Sequence, residues 1–519
     1  MNCTQSPQSQ EFQQLQSRLN TQWSSLDSLT ESDSDILVVP SLSLDPDELV
    51  KVEGNIHYEE RLLFSLIRLW NPRTRLIYVT SQPLSPIAID YYLQLLPGIP
   101  FSHARDRLLL FSTYDSSLQP LTQKILDRPR LLHRIKQALR PDRSFMICYN
   151  STYLERDLAL KLDIPLYALD PDLLYWGTKA GSRQIFAECG VPHPDGSELV
   201  FNDRDLAEVA ADLWERQPHL LRMVVKLNEG FSGEGNAILD LRPLGNPSNR
   251  ADRVRSIAAA FPHLSFQAPK ETWEKFQTKI TKLGAIAEAF IEGEIKESPS
   301  VQGRITPTGE VEILSTHDQI LGGPDGQIFL GCQFPAAEGY RLQLQELGLA
   351  IGKNLAAKGA IERFGVDFIA VPTTGGNWDL HAIEINLRKG GTTHPFMTLK
   401  FLTNGDYRLA DGLFYSQQGR PKYYVASDNL QNPQYRGLLP NDLMDIIAHH
   451  RLHFDSSKET GTVFHLMGCL SEFGKLGLTS IADSLEEAKQ IYQRVEEVLN
   501  QETQFLNLQS TPPIAWKSR

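Results

Sequence analysis

The stretch Met223-Val-Val-Lys-Leu-Asn-Glu-Gly-Phe-Ser-Gly-Glu-Gly-Asn-Ala-Ile-Leu239 places a lysine at the end of an apolar run and a glycine-rich loop directly after it. Glycines let backbone N–H groups approach and wrap an anion. Lys226 would add a point charge for a phosphate. A plain glycine-rich hairpin with a surface lysine would read the same way. The loop is not a Walker A loop, because no Gly-Lys-Ser/Thr closes it, and Gly468 to Lys475 also misses that spacing.

A second segment pairs Phe364-Gly-Val-Asp-Phe-Ile-Ala-Val371 with Trp378-Asp-Leu-His-Ala-Ile-Glu-Ile-Asn386 through Thr373-Thr-Gly-Gly-Asn377. A hairpin that turns between Gly375 and Gly376 sets Asp367 opposite Glu384. Glu384 and Asn386 then share a sheet face, because strand side chains repeat every second residue. Two carboxylates directly opposite repel, and a bound cation reverses that penalty. Oxygen donors of this kind suit Mg²⁺. A solvated acidic hairpin is the competing reading. The apolar flanks Val366, Phe368, Ile383 and Ile385 speak for a buried hairpin instead.

The third segment, Asn386-Leu-Arg-Lys-Gly-Gly-Thr-Thr-His-Pro395, follows at once. Arg388 and Lys389 bring positive charge beside the proposed metal. Gly390 and Gly391 expose backbone donors, and Thr392, Thr393 and His394 offer side-chain donors. Such a loop suits an oxyanion or a carboxylate; a helix-capping loop is the plainer alternative. His449 and His453 lie four apart, but no nearby carboxylate or cysteine completes a zinc set. They read as structural or solvated histidines.

The elements that must position these residues follow from the apolar patterning. Phe12, Leu15, Leu19, Trp23 and Leu26 recur at helical spacing and predict a helix that docks on the body. A membrane-surface helix fits less well, since its other face is neutral rather than basic. Asp35–Pro40, Arg75–Thr80, Arg107–Ser112 and Ser144–Tyr149 read as buried strands, with helical stretches around 58–69 and 119–139. That alternation predicts a parallel sheet with covering helices. No G-x-G-x-x-G follows the first strand, so a dinucleotide fingerprint is missing. A last helix begins near Ser484, where Ser484-Leu-Glu-Glu487 forms a capping box.

The chain has 519 residues and a formal charge of −12, which argues against a bulk electrostatic footprint for nucleic acid. At 41% apolar and 22% charged residues it reads as an ordinary globular protein rather than a disordered chain or a disulfide scaffold. Its length suggests about three domains. The 5 cysteines are scattered with no CxxC pair, which points to a reducing compartment. No membrane span and no basic-then-apolar leader is visible. The expected location is cytoplasmic.

Together these segments resemble the ATP-grasp superfamily, and within it the group of the pheganomycin-type peptide ligase. Leu314-Ser-Thr-His-Asp-Gln-Ile-Leu321, Gly331-Cys-Gln-Phe-Pro335, Glu384 to His394 and Gly461-Thr-Val-Phe-His-Leu-Met-Gly-Cys-Leu470 carry the narrower likeness. The resemblance implies that Lys179, in Gly177-Thr-Lys179 ahead of Cys189-Gly-Val-Pro-His-Pro194, is the first ATP lysine and Lys226 the second. It implies that Gly230, Ser232, Gly233, Glu234 and Gly235 form the phosphate loop. Ala287-Glu-Ala-Phe-Ile-Glu292 becomes the adenine hinge. There Glu288 would accept from the adenine amino group, and Phe290 and Ile291 would give backbone contacts. Glu294 and Glu297 both qualify as the ribose carboxylate. Asp367, Glu384 and Asn386 match the family's metal set. Arg304 and Arg363 are rivals for a further catalytic arginine.

The implied fold is α/β and α+β: an ATP-grasp domain at 166–400, preceded by a Rossmann-like α/β domain at 35–165 and an N-terminal amphipathic segment at 1–34. A C-terminal α+β extension fills 401–519. The implied activity is ADP-forming carboxylate–amine ligation through an acyl phosphate. ATP and two Mg²⁺ ions (or Mn²⁺) would be the cofactors. The partners would be a small carboxylate and an amine, an amino acid or peptide among them, with no nucleic acid and no membrane. Homo-oligomerisation is left open. Arg388 would stabilise the tetrahedral oxyanion. A small-molecule kinase on the same fold, or a nucleotide-binding regulatory protein without turnover, are the alternatives.

Overall fold

The computed structural model describes residues 7–27, 33–96, 98–230, 235–245, 247–268, 271–322 and 328–508. The chain folds into two compact units, neither of them one continuous block. The first joins Met1–Asp27, Phe145–Gly390 and Tyr407–Leu413. The second joins Ser28–Ser144, Gly391–Asp406 and Phe414–Arg519.

The first unit contains two antiparallel sheets. The smaller runs in the order Ser265–Phe266, Asn236–Asp240, Arg222–Leu227, Ala285–Ala289. Its core is made with the helices Asp203–Arg216 and Trp273–Leu283, where Leu206, Ala210, Trp214, Phe276 and Ile280 pack with Met223, Val225 and Ala287. The larger sheet sets Trp378–Asn386 beside Glu362–Pro372, then Pro299–Ile305, Val311–Gly322 and Ile328–Phe334. The helices Lys179–Cys189 and Arg341–Ala357 contribute Ile185, Phe186, Leu344, Ile351 and Leu355 to its core, with Val301, Phe364, Val366 and Ile385. Gly348 and Gly352 let the second helix sit close. A Cβ at Gly348 would lie 2.7 Å from Val301 Cγ1, and one at Gly352 would lie 2.7 Å from Phe364 Cζ.

The N-terminal amphipathic run is the helix Pro7–Asp27, with Phe12, Leu15 and Leu19 buried. It belongs to the first unit, where the Gln16 amide donates to the Leu166 carbonyl and its oxygen accepts from the Leu166 N–H.

The second unit carries the parallel strands Asp35–Val39, Arg75–Thr80 and Leu108–Ser112. The first two are buried along almost their whole length, as a parallel sheet covered on both faces requires. The expected helix at 119–139 is two helices, Leu121–Leu126 and Pro129–Ala138, with Pro129 at the first turn of the second. Proline cannot donate inside a helix but suits its start. The expected stretch at 58–69 is a 3₁₀ helix over Asn55–Trp70. Later in the unit, Lys475–Ala482 pairs antiparallel with both Pro421–Gln431 and Gly461–His465. The helix Leu485–Leu508 lays Ala488, Val495 and Leu499 on this sheet. Its start departs from a strict capping box. Ser484 Oγ accepts from the Glu487 N–H, but the Glu487 carboxylate accepts from the Asp483 N–H, one residue earlier than expected.

Candidate active site

The hairpin Glu362–Pro372 with Trp378–Asn386 sets Asp367 level with Glu384 and Gly365 level with Asn386. Near the turn the register is different, because the hairpin closes with three residues between Thr373 and Asn377. Gly376 there adopts a φ of 81°, the left-handed conformation such a loop requires. A bulge between Asp367 and Phe368, with Ile383 as the extra residue, shifts the pairing by one and brings the two carboxylates opposite each other.

Asp367 is held at both oxygens. Gln319 Nε2 donates to Oδ1 at 2.7 Å and Asn386 Nδ2 donates to Oδ2 at 2.9 Å. Burial and the facing Glu384 push its carboxyl up to about 7, against the opposing pull of Arg388 and Lys179. Glu384 pairs with Lys179, Nζ to Oε1 at 2.5 Å. Arg388 is partly buried; its guanidinium donates to the Lys389 carbonyl at 3.2 Å, and its charge acts on Asp367. Lys389 points to Glu362 at 3.2 Å and takes no part in the cluster.

Lys179 opens the helix Lys179–Cys189, whose N-cap Thr178 accepts from the Gly181 N–H. Asn228 ties this helix start to the end of the Lys226 strand. Its carbonyl accepts from the Lys179 N–H and its side-chain oxygen from the Ala180 N–H, both at 3.0 Å. Lys226 stands on Arg222–Leu227, and Glu288 stands on the adjacent Ala285–Ala289. Their charged ends meet at 2.5 Å, both buried. Arg183 approaches the other Glu288 oxygen at 3.0 Å. Burial raises the Glu288 carboxyl, but Lys226 and Arg183 outweigh it and leave it below its ordinary range.

The remaining expected residues are placed as follows. Gly230 and Gly235 meet at the base of the glycine loop, where the Gly235 carbonyl accepts from the Leu227 N–H at 2.8 Å. Ser232, Gly233 and Glu234 lie outside the described residues. The Phe290 N–H donates to the Arg222 carbonyl, and the Ile291 carbonyl accepts from Lys296 at 3.4 Å. Glu294 and Glu297 are both exposed, and Glu297 bridges through its backbone to Ala370 on the Asp367 strand. Arg304 is not brought to the cluster. It is level with Arg363, while Ser300 is level with Asp367. Four residues of strand are roughly 13 Å, and the Arg304 guanidinium sits on Glu312 at 2.5 Å. His394 lies in the second unit, where it stacks on His465 and hydrogen-bonds Tyr92. His450 pairs with Glu502 at 2.6 Å.

Two residues of the site were missed by sequence reasoning. Gln319 lies within the quoted Leu314–Leu321 motif but had no stated role. Arg183 is one helical turn beyond Lys179, and the i, i+4 spacing of two cations was the available signal.

The donor set fits a hard divalent cation. Asp367 and Glu384 face each other, burial and then the charge of Glu384 raise the Asp367 carboxyl, and Asn386 supplies an amide oxygen. Among the described residues no three His, Cys, Asp or Glu side chains converge, so Asn386 and non-side-chain oxygens must complete any such site. The buried ammonium groups of Lys179 and Lys226 fit a phosphate chain.

Residues 173–259 and 249–409 match the family model described as IQCH-like, ATP-grasp, and 442–495 match the PGM1 C-terminal domain. An L-propargylglycine–L-glutamate ligase of Streptantibioticus cattleyicolor is 29% identical over 443 residues, covering 83% of this chain and 86% of that protein. The IQ motif-containing protein H of Danio rerio is 22% identical over 553 residues; the match takes in 97% of this chain but 51% of that protein. A biotin carboxylase–β-γ-ATP complex from Campylobacter jejuni superposes with a TM-score of 0.52 at 12% identity, covering 92% of this chain and 97% of that one. With Lys179 at a helix start, Lys226 on the smaller antiparallel sheet, a carboxylate pair on a bulged hairpin of the larger sheet, and these matches, the chain has an ATP-grasp fold and is similar in sequence to ATP-grasp proteins.

Proposed function

We propose that this chain is an ADP-forming carboxylate–amine ligase. The observation that carries the reading is the convergence of Lys179, Asp367, Glu384, Asn386 and Arg388 in one cluster of the first unit. The ligase relative supports it, and its name suggests substrates of amino-acid size for both the acid and the amine.

In this reading Lys179 and Lys226 hold the ATP phosphates, and Gly230 to Gly235 cover them. Glu288, Phe290, Ile291 and Glu297 line the nucleoside. Asp367, Glu384 and Asn386 hold magnesium, as one ion or two, which when bound screens the phosphate charges. Phosphoryl transfer of this kind depends mainly on position and electrostatics. The substrate carboxylate attacks the γ-phosphorus and ADP leaves, giving an acyl phosphate. The amine then adds to the acyl carbon and inorganic phosphate departs. Arg388 holds the carboxylate and then the oxyanion formed from it.

The test is a phosphate-release screen over amino-acid and peptide pairs, with mass spectrometry of the products. A ligase yields phosphate and an amide only when acid and amine are both present. ADP with a stable phosphorylated product would indicate a kinase, and binding without turnover a regulatory protein. Glu384→Gln is expected to abolish ADP formation at saturating Mg²⁺ in a folded protein. Turnover near the unsubstituted level would remove Glu384 from the site.

A further inference from the structure

Lys226 has a difficulty as a phosphate ligand. Its ammonium lies 2.5 Å from the Glu288 carboxylate, and both side chains are almost fully buried. An isolated pair of that kind is neutral, and its cation is already committed. Arg183 changes the balance. Its guanidinium takes the other Glu288 oxygen at 3.0 Å with its own side chain largely buried, so two cations share one carboxylate and the trio keeps one net positive charge. Uncompensated buried charge is costly unless an anion meets it.

The placement of Arg183 is built rather than incidental. Lys179 and Arg183 stand one turn apart on the same helix, and the Pro194 carbonyl accepts from Arg183 Nη1 at 2.7 Å, which fixes the guanidinium. Gly196 is level with Glu288 in a short bridge. A Cβ at Gly196 would come within 2.7 Å of Arg183 Cζ, so the missing side chain makes the space the guanidinium fills.

We propose that Arg183 is a positioning residue for the nucleotide: by sharing the Glu288 carboxylate it leaves the charge of Lys226 available to an ATP phosphate. The inference rests on the nucleotide reading of this site and goes beyond it, since it gives Arg183 a role exerted through Glu288 rather than through a contact with ATP.

The experiment is calorimetric titration of MgATP into the full-length chain and into Arg183→Gln, Arg183→Lys, Glu288→Gln and the Arg183→Gln/Glu288→Gln double variant. Arg183→Gln is expected to weaken binding at least about tenfold, equivalent to about 1.4 kcal/mol. Arg183→Lys keeps the charge and is expected to restore most of the affinity. With Glu288 neutralised there is no carboxylate left to share, so Arg183→Gln should then cost much less. A purely structural arginine, acting through Pro194, costs the same in both backgrounds, and that result overturns the proposal. So does unchanged affinity in Arg183→Gln, a loss that lysine fails to restore, or failure of Arg183→Gln alone to fold. If the unsubstituted chain binds no MgATP, the nucleotide reading itself is wrong and this inference falls with it.

Discussion

Asp367 and Glu384 show how one pair of residues can disfavour its own protein until a ligand arrives. The Asp367 carboxyl titrates near 7 in the fold, against about 3.9 in an unfolded chain. Between those values the folded state holds a proton that the unfolded state has released. The contribution to stability is therefore greatest below about pH 4 and is lost as pH rises through 7. Taken at face value the shift bounds the penalty at roughly 4 kcal/mol. Glu59 and Glu60, also raised to about 7 by burial, titrate with the same sign, so the bulk pH profile alone does not isolate Asp367. Asp367→Asn does. It is expected to raise the melting temperature of the metal-free protein strongly at pH 8 and much less at pH 5, where only part of the penalty has developed. Adding Mg²⁺ at pH 8 should raise the melting temperature of the parent but not of the variant. An equal effect of the substitution at both pH values would argue against a carboxyl raised by burial and by the facing Glu384. At this scale the sequence was legible where chemistry is local. A carboxylate opposite a carboxylate can be suspected within one short hairpin. The partners of Gln319 and Arg183 could not, because they lie far away in the chain, 48 and 105 residues off.

The hairpin shows what an element adds. Reading the turn between Gly375 and Gly376 gave the right register at Asp367 but the wrong turn. The loop holds one residue more than a two-residue turn, and the bulge at Ile383 compensates for it. Bulges leave no reliable mark in an alternating pattern, so the agreement at the site came from two displacements that cancel. Arg304 and Arg363, named as rivals, stand level with each other on adjacent strands, four residues away from the level of Asp367. Behind this sheet, the helix Arg341–Ala357 can approach only because Gly348 and Gly352 present no side chain to Val301 and Phe364. Gly348→Ala forces a methyl against Val301 in a packed core. Overpacking of that kind typically costs about 1–3 kcal/mol. Chemical denaturation should report a loss in that range with an unchanged dependence on denaturant concentration. No measurable loss would mean that the helix can retreat from the sheet.

On the scale of the whole chain, the first unit begins with a helix whose other members start more than a hundred residues later. Apolar periodicity revealed that the run Phe12 to Trp23 is a helix with a buried face, but a pattern cannot say which surface receives it. The structure gives that answer through particular contacts inside the first unit. Arg18 reaches Asp163, Gln16 makes a two-way exchange with Leu166, and the Arg156 guanidinium lies over the Phe12 ring at 5.1 Å while pairing with Asp170 and Asp172. Phe12 is completely buried, so its removal both exposes a cavity lining and uncovers the Arg156 cluster. Phe→Ala at a core site costs about 3–5 kcal/mol. We expect Phe12→Ala to lower the denaturation midpoint by the corresponding amount, with Gln14→Ala on the exposed face of the same helix as the matched control. A helix that merely drapes over the surface would let both variants melt with the parent. The docked helix predicts that only Phe12→Ala falls, and that it falls although every residue proposed to touch the nucleotide is intact.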